Sequence, residues 1–187
     1  MADNRIMLKN VRLSFPALFE PSSFGEGKPK YQATLLIDKD DKENLQKVEK
    51  ALAAAEAEGI ASKWNGKKPP KYMHAPIHDG DDEKDTDDNP EFAGVKYINA
   101  RNVRAPQVVD SKVQAILDPE EIYPGCYVNV SLTPYAYNYD NTKGVGWSLG
   151  NVQKAKDGER FGGGGGVKAE NEFDEFEAET DDSEDLL

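Results

Sequence analysis

The 187 residues are enough for one domain with a hydrophobic core and too few for two packed domains beside the chain's compositionally biased segments. No apolar run reaches the ~18 residues of a membrane span, and Met1-Ala2-Asp3-Asn4-Arg5-Ile6 lacks the apolar stretch of a signal peptide, which predicts a cytoplasmic protein with no membrane partner. A single cysteine, Cys126, excludes an internal disulfide or a cysteine-built zinc site, and a net charge of −12 argues at first against nucleic acid, whose phosphates are neutralised by Lys and Arg.

In chain order, residues 6–15 read as a strand, with Lys9, Val11, Leu13 and Phe15 on one face, Leu8, Asn10, Arg12 and Ser14 on the other, and Pro16 ending it. A turn-rich stretch holding Pro21, Gly25, Gly27 and Pro29 leads to a second strand over 31–37, where Tyr31, Ala33, Leu35 and Ile37 alternate with Gln32, Thr34 and Leu36. Leu45, Val48, Leu52 and Ala55 recur at helical spacing, with acids in the first turn and Gly59 behind, and predict a helix over 41–58. In the basic loop 63–72 that follows, Pro69 and Pro70 forbid regular structure through the centre. Residues 79–91 carry eight acids against one lysine, and residues 79–89 are expected to form an exposed loop.

Residues 97–104 read as a strand ended by Pro106, after which Val108, Val109, Val113 and Ile116 continue an extended, half-buried path. The clearest alternation spans 126–139. Cys126, Val128, Val130 and Leu132 face one way, and Tyr127, Asn129, Ser131, Thr133, Tyr135, Tyr137 and Tyr139 the other. A hairpin turn at 140–144 returns the chain into a glycine-rich strand over 146–152. The tally, five or six strands and one helix, is a mainly β domain over residues 1–161. Residues 162–187 open with five consecutive glycines and carry ten acids against one lysine. Such a segment cannot bury enough apolar area to offset its ordering entropy, so a disordered acidic tail is expected. Without the two acidic segments the body holds 21 basic and 17 acidic residues, and the charge objection to nucleic acid lapses.

Binding a single strand needs cations along the phosphates and flat rings on which unpaired bases stack. Trp64 and Tyr72 are interleaved with Lys63, Lys67, Lys68 and Lys71, and Tyr135, Tyr137 and Tyr139 follow one another on the polar face of a strand. Lys96, Arg101 and Arg104 fall on or beside another strand, and Trp147 on the glycine-rich one. These residues, Lys63 apart, are the candidate DNA contacts; a solvated lysine loop and cross-strand tyrosine pairs are the structural alternatives. Arg101 and Arg104, three apart, reach one face only through a bulge. Pro76 between His74 and His78 excludes a helix-borne metal pair, and no nucleophile motif or phosphate-cradling loop appears, so neither catalysis, metal nor cofactor is expected. In the tail, Phe173, Phe176, Leu186 and Leu187 are apolar anchors among acids, suited to partner proteins and to mimicking a polyanion.

Three stretches, Val11-Arg12-Leu13-Ser14-Phe15-Pro16, Arg104-Ala105-Pro106-Gln107-Val108-Val109-Asp110, and Tyr123-Pro124-Gly125-Cys126-Tyr127-Val128 followed by Gly146-Trp147-Ser148-Leu149, resemble a family of phage single-stranded DNA-binding proteins, over residues 5–160. The resemblance implies an OB-fold-like five-stranded Greek-key barrel with one helix, sequence-independent binding of single strands in DNA replication and recombination within the host bacterial cytoplasm, and an acidic tail that contacts replication or recombination proteins. A monomer or homodimer fits this reading. The acidic loop 79–89 departs from the family pattern. Two other readings stay open: a mediator that anneals complementary strands, and an acidic protein that mimics DNA.

Overall fold

The first strand, β1 (Ile6–Ser22), does not stop at Pro16. In this computed structural model, which describes residues 4–23, 27–161 and 173–176, Asn10 and Phe15 take left-handed backbone angles, φ 57° and 45°. Each lies in a bulge: the register shifts between Leu8 and Val11 against one neighbouring strand and between Ser14 and Ala17 against the other. An extra residue reverses which parity points inward. Leu8, Val11 and Leu13 are therefore all buried, and Phe15, expected on the face of Val11 and Leu13, is turned out at 55% exposure. Pro16 sits inside the second bulge, where no ladder hydrogen bond is demanded of it.

β2 (Lys30–Asp38) and β6 (Tyr127–Tyr139) flank β1 antiparallel; β4 (Val95–Asn102) pairs with β2, and β7 (Thr142–Lys156) with β6. β4 then meets β7 in parallel at Arg101↔Ser148, closing five strands into a ring in the order β4-β2-β1-β6-β7. This is the Greek-key barrel expected of an OB fold. Two-residue strands extend it: β3 (His78–Asp79) beside β4, and β5 (Val108–Val109) beside β7. Leu8, Leu13, Leu35, Ile37, Ile98, Val130 and Leu149 fill the interior, with Val48 and Ala51 of the helix among the same buried cluster.

That helix, α1 (Lys42–Ser62), is inserted between β2 and β3, with Asp41 as N-cap accepting the Asn44 N–H at 3.2 Å. It runs past Gly59, the expected terminator. A Cβ there would lie 2.8 Å from both the Trp64 ring and Ala136, so this glycine is a contact surface. Its buried stripe is Asn44, Val48, Ala51, Ala55 and Gly59, while Leu45 and Leu52 are only partly covered.

The acidic segment is largely exposed, as expected, but is not an irregular loop. It folds into β3, the short α2 (Gly80–Glu83) and a 3-10 turn, Pro90–Phe92. Lys39 Nζ lies 2.9 Å from Asp79 and 2.6 Å from Asp81, the Asp81 carboxylate accepts the Gly94 N–H, and buried Phe92 packs on Leu36 and Tyr97. His78 stacks on Tyr97 at 4.7 Å, its Nδ1 3.0 Å from the Glu83 carboxylate. The negative charge is thereby gathered into a flap against the edge of β4. Among the described residues no helix is long and apolar enough to cross a membrane.

Candidate nucleic-acid interface

Along β6 Val128, Val130 and Leu132 occupy the barrel as the sequence predicts, and of the opposite positions only Ser131, at a register shift and accepting the Asn151 N–H, is buried. Asp140 and Asn141, φ 49° and 67°, form the two-residue turn that returns the chain into β7. Across that hairpin Tyr135 opposes Gly146 and Tyr137 opposes Gly144. A Cβ on Gly146 would come within 2.6 Å of the Tyr135 ring, and one on Gly144 within 2.5 Å of the Tyr137 hydroxyl. The rings thus lie over bare backbone and pack on one another. Tyr137 and Tyr139 stack at 5.6 Å and 21°, and Tyr135 and Tyr137 meet at 6.2 Å and 50°. Tyr135 and Tyr139 keep 44% and 70% of their surface open. Burial raises the phenol pKa of Tyr135 and Tyr137; at Tyr135 the neighbouring phenols add to this and Arg101 opposes it. Tyr135 and Tyr137 are thus uncharged at neutral pH and present no repulsion to a phosphate chain.

The ladder forms one side of a trough of about 630 Å³ whose other walls are Asn99 and Arg101 of β4, the segment holding Lys71, Met73 and His74, and His78 and Glu83 of the acidic flap. A second depression of about 220 Å³, lined by Phe15, Gln32, Thr34, Asn99 and Arg101, continues it across β2 to β1. Asn99 and Arg101 border both, so the path is continuous. It follows the face between the second and third barrel strands and the last hairpin, where OB folds hold oligonucleotides.

Of the residues singled out from the sequence, Tyr135, Tyr137, Tyr139, Arg101, Lys71 and Tyr72 line the trough. The tryptophans do something else. Trp64, 1% exposed, donates its indole N–H to the Tyr137 carbonyl at 3.0 Å; Trp147, 3% exposed, borders the trough but donates to the Pro76 carbonyl at 2.8 Å. Neither offers a free ring face to a base, because each is packed as a staple holding the 64–76 segment to the hairpin. Lys68 is paired with Glu56 and sits 5.9 Å from the Tyr72 ring centre. The Tyr72 hydroxyl is buried without a hydrogen-bond partner among the described residues, and burial, then the nearby Glu56 charge, pushes its pKa up to about 12. Lys67 is exposed outside the trough. Lys96 shares the parity of Ile98 and Ala100, opposite to Arg101. Arg104 lies beyond the end of β4, which runs against β2 without the bulge needed to bring both arginines to one face. Phe173 and Phe176 are exposed; Leu186 and Leu187, with most of the expected tail, lie outside the described residues.

Phe15, Gln32, Asn99, Met73 and His74 join the site without having stood out in the sequence as DNA contacts. Asn99 was within reach, since a strand that exposes Arg101 exposes its neighbour two positions back. Phe15 gave no such signal: a left-handed aromatic before a proline runs against both local preferences.

The profile of a family described as "Enterobacter phage Enc34, ssDNA-binding protein" matches residues 4–187. Protein p50 of Acyrthosiphon pisum secondary endosymbiont phage 1 is 35% identical over 182 residues, 92% of this chain and 94% of its own length. The single-stranded DNA-binding protein of bacteriophage Enc34, solved in complex with ssDNA, superposes with a TM-score of 0.73 at 30% identity, over 85% of this chain and 90% of that one. The gp2.5 single-stranded DNA-binding protein of bacteriophage T7 shares the fold at 16% identity and a TM-score of 0.57, over 95% of this chain and 100% of its own. The chain therefore belongs to the Enc34 family of phage single-stranded DNA-binding proteins.

Proposed function

We propose that this protein binds single-stranded DNA along the trough, largely without regard to sequence, and shields it during phage replication and recombination. The observation that carries the reading is the tyrosine ladder facing Arg101 and Lys71 across one continuous depression. Bases stack on Tyr135 and Tyr139, which every base can do because each has a π-face, while the guanidinium and the ammonium meet phosphates. The Enc34 relative, solved with ssDNA, supports this assignment. We assign the protein no catalytic step. Residues 162–187, with ten acids against one lysine, compete with DNA for the trough and carry Phe173, Phe176, Leu186 and Leu187 to replication or recombination proteins.

The test is fluorescence anisotropy of a labelled oligothymidine against the intact protein and a variant lacking residues 162–187, at two salt concentrations and with duplex competitor. Salt-sensitive binding that duplex does not displace, tighter at low salt without the tail, is the expected result. Absence of binding by both proteins overturns the reading, and equal affinities overturn the competition.

A further inference from the structure

The shallower end of the trough differs chemically from the tyrosine ladder, and a hydrogen-bonding pattern is fixed there before any ligand arrives. Phe15 presents an exposed ring on a left-handed backbone, in a bulge that sets it apart from the strand's regular alternation. Beneath it, the Thr34 hydroxyl donates to Asn99 Oδ1 at 2.7 Å, which orients the amide and leaves its donor, Nδ2, turned away from Thr34 and available to a ligand. Gln32 Nε2 reaches the Phe15 carbonyl at 3.4 Å, which leaves Gln32 Oε1 as an acceptor. Arg101, in register with Gln32, contributes only donors. The depression, about 220 Å³, is smaller than the ~300 Å³ at which sites for drug-sized ligands begin.

We propose that Phe15, Gln32, Asn99 and Arg101 form a single-base subsite that prefers keto bases, thymine or guanine, over cytosine. A ring face with mostly donors and one acceptor complements a base edge that offers a carbonyl oxygen beside a ring N–H, as thymine does with O4 and N3 and guanine with O6 and N1. Cytosine places an amino donor where thymine has O4, so donor faces donor and the neighbouring ring nitrogen has no hydrogen for Gln32. The subsite rests on the single-strand reading above and adds to it one position at which base identity matters.

The experiment compares oligothymidine with oligodeoxycytidine of equal length at one salt concentration, for the intact protein and for Asn99→Leu and Gln32→Leu. Both oligomers have pyrimidine faces and the same phosphates, so their ratio isolates the base edge. A preference of about three- to tenfold for thymidine in the intact protein, falling towards one in both variants, is expected. Equal affinities for the intact protein overturn the subsite. A ratio that survives both substitutions also overturns it, because the preference then belongs to the DNA's own stacking. Binding of neither oligomer overturns the single-strand reading and this subsite with it.

Discussion

At the scale of single residues, the chain holds two kinds of aromatic that look alike in sequence and act oppositely. Tyr139 is open and packed on one side only, whereas Trp64 is enclosed by Ala55, Val145 and Tyr72. Tyr139→Ala is expected to weaken oligothymidine binding by about 1 kcal/mol or more, roughly fivefold, with the melting temperature nearly unmoved. Trp64→Ala is expected to cost about 3–5 kcal/mol of stability, a fall in Tm of roughly 6–20 °C. Calorimetry and anisotropy on the same two variants check both, and a Trp64→Ala protein that melts like the parent contradicts its role as a staple. The tyrosines were legible because a period of two ties each to an aliphatic neighbour of known direction. The tryptophans were not, since a ring flanked by lysines reads the same whether the backbone turns it out or in. What decides for Trp64 is the space left by Gly59, on a helix that continues past the end its sequence suggests.

At the scale of elements, the acidic flap shows how composition misleads. Eight acids in thirteen residues read as a solvated loop, yet two of them, Asp79 and Asp81, converge on one ammonium, and Phe92 fastens the segment to Leu36 and Tyr97. Bonds from Lys39 hold both carboxyls below their ordinary pKa. A carboxyl whose pKa is lowered on folding stabilises the folded form above its unfolded value, near 3.9, and that contribution disappears as the pH falls through the lower folded value. Acidification below about pH 4 should therefore speed amide exchange at residues 79–94 before the barrel strands respond, and Lys39→Ala should bring that exchange on at neutral pH. Equal protection of flap and barrel throughout the titration would contradict the bridge. The helix was legible in kind because its first-turn acids and its apolar spacing agree; β1 was not, because two bulges reverse its parity and no sequence pattern encodes a bulge at Phe15.

At the scale of the molecule, separating charge by segment mattered more than its sum. A mildly basic body carries the trough, and about half of the acids, 18 of 35, are collected in the flap and beyond residue 161, with Glu83 of the flap reaching the trough's edge. With Arg101 and Lys71 in the trough and Lys67 and Arg104 outside it, two to four phosphate contacts are expected, a slope of log affinity on log salt between about −1.4 and −2.8. A flat salt dependence for the tail-deleted protein would show that rings alone hold the strand. The ring order of the barrel came from the resemblance of short motifs, since alternation identifies strands without saying which are neighbours.

The barrel has a weak seam. Among the described residues, β4 and β7 are fastened by a single ladder pair, Arg101 with Ser148, and by the Asn102 amide on Ser148 and on the Leu149 carbonyl. A wall joined at one point is where a native structure opens first. Arg101 belongs both to that joint and to the trough, so a polynucleotide laid along it as proposed is expected to work as a suture: the cargo would help to keep shut the container that carries it, and amide exchange at residues 101 and 148 should slow when DNA is added.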